Sequence, residues 1–226
     1  MFFGMRKVTA IAAAALCVIA VTSSAARAAL IYESATGDFD AVVGGGTGVN
    51  ANQYIGAAFS LNQQSTIDAI GGHFGTFSGA GGSLFGALVA LNSSGFPSST
   101  GLSFDTVIAS TVFTPTLGSD FLTPLSTVLN AGTYGVVFGS NMFGAAGSHT
   151  LTLLQTPTIT STGTVFISNT SSFISWGNLS APSPNRLRLL VSAESAVPLP
   201  LPAALPLFLS GLVGLGLVLR GRSKLV

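Results

Sequence analysis

Between Leu30 and Ala196 apolar residues come in short runs, several of them alternating with polar ones, and most runs close on Gly, Ser, Asn or Pro. A period of two puts alternate side chains on opposite faces of an extended chain, so this pattern predicts many short strands joined by turns. The stretch 186–191 alternates best, with Leu187, Leu189 and Val191 on one face and Arg186 and Arg188 on the other. Residues 84–91 are apolar at nearly every position, which predicts a strand covered on both faces, and 92–97 supply the turn that follows. Residues 133–138, after Asn130-Ala131-Gly132, read as a central strand. Further strands are expected at 57–61, 67–74, 107–113, 151–154 and 165–169, and no stretch among them carries the periodicity of a helix of ordinary length. The expected fold class is all-β, an antiparallel β-sandwich.

The two ends follow different patterns. Arg6 and Lys7 precede an apolar run over 8–21, and Ala26-Arg27-Ala28 follows, which is the order of a secretory signal peptide. Residues 1–28 are therefore expected to direct export through the Sec translocon. Signal peptidase would read the small side chains of Ala26 and Ala28 and leave Ala29 as the first mature residue. The run is shorter than the ~20 residues a membrane span needs. Leu16 stands before Cys17 where a lipoprotein signal has a small residue.

At the other end, 199–219 is apolar and uncharged, long enough to cross a bilayer, and Arg220, Arg222 and Lys224 follow it. Positive charge stays on the cytoplasmic side, so the chain should end inside and the preceding domain should lie outside. Pro198, Pro200, Pro202 and Pro206 interrupt the start of the segment and leave 207–219 as its firmer helical part.

Charge sharpens this division. Charged residues are 7% of the 226, against roughly 25% in an average soluble domain, and six of the eight basic groups sit at the two ends. Residues 29–196 hold Arg186 and Arg188 against seven acids, a balance of −5, and no lysine. Such a domain has no basic stripe to neutralise phosphates, which argues against nucleic acid as a partner. The only cysteine, Cys17, falls in the N-terminal run, so the domain must hold together without disulfides.

The sequence Val197-Pro198-Leu199-Pro200-Leu201-Pro202-Ala203-Ala204, the apolar run from Leu207 and the basic end together resemble a PEP-CTERM sorting signal, in a Val-Pro-Leu-Pro-Ala variant with Leu199 where glutamate is usual. Over 197–226 the order is that of the family: proline motif, transmembrane helix, basic stop cluster, chain end. The resemblance implies a transient stay in the inner membrane of a Gram-negative bacterium. It also implies cleavage near the proline motif by an exosortase, and transfer of the ectodomain, residues 29–196, to the cell surface or an exopolysaccharide matrix. A single-pass anchor that is never processed is the plainer alternative. Within the middle, the segments 57–61, 66–70, 84–97 and 129–134 occur in an order similar to that of choice-of-anchor surface domains, which implies a jelly-roll-like sandwich.

Candidate chemistry is sparse. His73 and His149 are the only histidines, without the spacing of a metal pair, and no zinc or other cofactor is expected. Glu33, Asp38 and Asp40 offer oxygen ligands for calcium, but 38–44 lack the repeating ligands of a calcium loop. The glycine runs at 44–48 and 79–82 have no lysine after them and read as turns rather than phosphate loops. Trp176 is a candidate stacking platform for sugars, in which case the domain would be a carbohydrate-binding module. The expectation is a structural or adhesive protein rather than an enzyme. An enzyme would need His73 or His149 grouped with acids in one exposed pocket.

Overall fold

A computed structural model describes residues 28–37, 46–75, 81–97, 102, 104–154, 158–159, 164–169, 175–179 and 186–194. Its strands in chain order are β1 Ala28–Glu33, β2 Ala35–Thr36, β3 Gly46–Val49, β4 Gln53–Leu61, β5 Ser65–Gly75, β6 Leu84–Ala90 and β7 Val107–Phe113. After these come β8 Asp120–Leu129, β9 Gly132–Gly139, β10 His149–Thr152, β11 Thr158–Ile159, β12 Val165–Asn169, β13 Ser175–Asn178 and β14 Leu189–Glu194. Among the described residues the only helical turn is a short 3-10 segment, Phe104–Thr106. None of them forms a helix long and apolar enough to cross a membrane. The apolar segment 199–219 lies outside the described residues.

Two six-stranded antiparallel sheets make a sandwich-like, all-β domain. One runs β13-β12-β4-β9-β6-β7. The other is built on β5, whose one edge pairs with β8 along most of its length. The opposite edge of β5 takes β14 beside Ile67 to Gly72 and then β10 beside Phe74 and Gly75, with β1 outside β14 and β3 outside β10. Strand β2 pairs separately with β11.

Alternation fixes which side chains fill the space between the sheets. Ile55, Ala57, Phe59 and Leu61 of β4, Val136 and Phe138 of β9, and Leu84 and Leu88 of β6 meet Ile67, Ile70 and Phe74 of β5 and Leu187, Leu189 and Val191 from the other sheet. The three-residue step from Ile67 to Ile70 breaks the period of two. A bulge at Asp68 absorbs the extra residue, which brings both isoleucines inward.

The intervening residues of β4, β6 and β9 face a second, smaller core on the outer side of their sheet. Tyr54, Phe85, Ala87, Val89, Val137 and Phe166 pack there with Leu102 and Ala145 from the connections. This is why 84–91 is apolar throughout: Leu84 and Leu88 serve the central core, while Phe85, Ala87 and Val89 serve the outer one. The rings approach so closely that Phe166 lies over Gly56, where no Cβ would fit.

The expected strands at 107–113 and 165–169 form with those bounds, while others shift. Residues 67–74 lengthen to Ser65–Gly75, 57–61 to Gln53–Leu61, 133–138 to Gly132–Gly139, and 84–91 ends at Ala90. The expected strand at 151–154 is displaced to His149–Thr152, and that at 186–191 to Leu189–Glu194. The later start of β14 has a local cause. Ser34 Oγ donates to the Leu187 carbonyl at 2.5 Å and accepts from Leu189 N–H at 2.8 Å, so a buried side chain takes the ladder positions there. Strand β8 has no counterpart in the sequence reading, because Pro124 interrupts its apolar pattern. It is tolerated since β8 lies on an edge and the β5 pairing is irregular beside it.

Candidate functional site

Antiparallel pairing brings the two ends of the domain together. In the ladder of β1 with β14, Ala28 faces Glu194 and Ala29 faces Ala193. Both alanines are exposed, and only Ser195 and Ala196 separate Glu194 from Val197. The chain therefore enters and leaves the domain at one point, next to both expected processing positions. Ala26 lies outside the described residues. So do the proline motif (Val197, Pro198, Leu199, Pro200, Pro202, Ala203) and the basic cluster (Arg220, Arg222, Lys224). Asp38 and Asp40 also lie outside.

His73, Asp120 and Glu33 meet around Arg188, on the outer face of the β5 sheet. Its guanidinium takes both carboxylate oxygens of Asp120 through Nε, at 2.9 and 2.8 Å, with Nη2 also 2.8 Å from Asp120 Oδ2. Nη1 pairs with the Glu33 carboxylate and donates to the Ala35 carbonyl at 3.0 Å. His73 joins from β5, its Nδ1 lying 3.1 Å from Asp120 Oδ1. An ionised carboxylate only accepts, which assigns the proton of that contact to Nδ1. The backbone N–H of His73 donates to the Arg188 carbonyl at 3.1 Å.

The network thus gathers a histidine and two acids, which the sequence does not foretell, since Arg188 lies 68 residues from Asp120 and Asp120 lies 47 from His73. Its geometry is that of a clasp. His73 is buried, and the guanidinium spans the two acids, bonding the N-terminal residues 33–35 to the start of β8 and the approach to β14. Replacing Arg188 by methionine should cost about 2 kcal/mol in urea denaturation. That is below the cost of breaking a fully buried pair, because the Asp120 side chain is 39% exposed. Lysine should recover part of the loss, since it restores the charge without the planar fork.

His149 is not part of this group. It is buried at the start of β10, where Nε2 donates to the Gly82 carbonyl at 2.9 Å, and it helps hold 81–83 against 145–149. The Ser148 N–H donates to the Gly81 carbonyl at 3.0 Å and the Ala146 N–H to Ser83 Oγ at 3.1 Å, which completes that join. Trp176 on β13 is partly buried, its ring edge-on to Phe166 at 5.2 Å in the outer core, so it packs rather than stands out as a platform. Among the described residues the exposed aromatic is Phe104, at 73%.

The arrangement is one of termini brought together, a charged clasp and packed aromatic rings. Comparison with known proteins adds no family: neither a protein-family model nor a curated protein matches the chain.

Proposed function

We propose that the chain is an exported surface or extracellular-matrix protein of a Gram-negative bacterium, delivered by its signal peptide and released from the inner membrane by an exosortase acting near Val197-Pro198-Leu199-Pro200. The observation that carries this reading is the order of the segments: proline motif, uncharged apolar run, then Arg220, Arg222 and Lys224. The fold is compatible with it. Glu194 is the last residue of β14, so a cut at or after Val197 removes nothing from the β1–β14 ladder and leaves the sandwich whole. Signal removal after Ala28 likewise retains β1 from Ala29 onward.

The role proposed for the domain is structural or adhesive, in a jelly-roll-like sandwich, and non-enzymatic. His73 is bonded to Asp120, and Asp120 and Glu33 are both paired with Arg188, so these groups already serve as a clasp. Exopolysaccharide is the partner the matrix setting suggests.

Full-length chain in cells with and without an exosortase provides the test. With the enzyme, a shortened ectodomain should leave the inner membrane. Without it, the full-length chain should stay there. Full-length chain in the inner membrane of both strains, while a known sorted protein is released from the first, would reduce the tail to a plain anchor.

A further inference from the structure

Among the described residues the two six-stranded sheets end on five edge strands, β1, β3, β8, β13 and β7, and an edge strand offers unpaired N–H and C=O groups to any other chain. Four of the five carry features that discourage such pairing. Strand β8 contains Pro124, β1 carries Glu33 and an irregular register, and β3 and β13 are four residues long and contain glycine. Strand β7 shares only the irregular register, at Ile108 opposite Leu88 and Val89 of β6. Its seven residues, Val107-Ile108-Ala109-Ser110-Thr111-Val112-Phe113, include no charge, proline or glycine, and its one irregularity is a bulge at the start, on the side facing β6. Ile108 and Val112 are 41% and 42% exposed, on the same side of the strand as the exposed Ser110.

The strand is also complementary to itself. Turned about Ser110, an antiparallel copy sets Ile108 against Val112 of the partner subunit, and Val112 against Ile108 of the partner subunit. Ser110 then faces its own equivalent, and Ala109 faces Thr111 of the partner subunit. Two exposed β-branched side chains per copy thereby gain apolar cross-strand neighbours. Charge raises no obstacle, because Asp105 falls opposite Pro115 of the partner subunit and no acid meets an acid. A twofold arrangement of this kind uses the same patch on both molecules and closes on itself.

We propose that β7 is the edge through which two copies of this chain pair, antiparallel and centred on Ser110, continuing the β13-β12-β4-β9-β6-β7 sheet across both molecules. A seven-residue strand is only ~23 Å long, and one strand pair buries less than the ~800 Å² per partner of a standard stable interface. The dimer is accordingly weak and forms where copies are crowded, as on a membrane or in a matrix. This goes beyond the delivery reading and rests on it for the crowding and for the membranes in which it is tested.

Cysteine crosslinking of the exported full-length chain tests the pairing, because Cys17 is the only thiol and is changed to serine in every variant. Ser110→Cys places two thiols across the twofold axis, at a Cα spacing a disulfide can bridge. In membranes treated with a copper oxidant it should give a reducible band of twice the monomer mass. Ser126→Cys, also exposed, on the β8 edge, should not. Adding Val112→Lys to Ser110→Cys changes only an exposed side chain and should cut the dimer about tenfold. Equal crosslinking from Ser110→Cys and Ser126→Cys would overturn the proposal, as would a yield unchanged by Val112→Lys. The bands are scored whether or not the tail has been cut, so failure here leaves the sorting proposal standing.

Discussion

Replacing Gly71 by alanine should destabilise the sandwich strongly. Gly71 sits in β5, the strand on which its sheet is built, between Leu122 of β8 and Leu190 of β14. A Cβ there would overlap the carbonyl oxygen of Phe121 and lie 2.8 Å from its carbonyl carbon and 2.9 Å from Leu122 Cα. These are backbone atoms of a paired strand, so a rotamer change cannot relieve the clash. Strand β8 would have to move away from β5, and Leu125 and Leu129 would be drawn from the core with it.

The expected loss is about 3 kcal/mol or more, at the upper end for overpacking. Whole domains are stable by only about 5–15 kcal/mol. Gly177→Ala is the matched control: it too is a strand glycine, but nothing lies within 4 Å of its added Cβ. Urea midpoints of the two variants decide the matter. A Gly71→Ala protein as stable as Gly177→Ala would show that β8 does not run where it is placed.

Deleting residues 197–204 while keeping 205–226 should leave the chain inserted in the membrane and reduce its release to background. Joined to Ser195 and Ala196, the remaining stretch 205–219 gives about 17 uncharged residues, the lower end of what a span needs, and Arg220, Arg222 and Lys224 after it favour the cytoplasmic side. If the proline motif is what an exosortase reads, the deletion removes the recognition sequence and retains the anchor. A plain anchor predicts no difference, because its prolines merely precede the span. Comparing the size and the membrane fraction of the ectodomain for the intact and deleted chains, in cells that contain an exosortase, separates the two. The deletion begins three residues after Glu194, beyond the last strand, so the sandwich should fold in both.

The sequence by itself determined the class of the fold and the proposed destination of the chain. Period-two alternation is a local property of an extended backbone, which is why 107–113 and 165–169 could be read with their bounds and why residues 84–91 announced burial on both faces. The signals at the ends are likewise linear: a basic start, an apolar run, small residues, then prolines, a second apolar run and a basic end. Whatever depends on residues far apart in the chain was decided only by the tertiary structure. Strand β8 is extended despite Pro124 because β5 pairs with it from the side, a stabilisation no local pattern records. The alternation set Arg188 on the face opposite Leu187, Leu189 and Val191, but only folding carries Asp120, Glu33 and His73 to it from three other strands. Trp176 could be core or platform until Phe166 was set against it by the β12–β13 pairing. The meeting of Ala28 with Glu194 is of the same kind, because which strands become neighbours depends on the packing of the whole sheet.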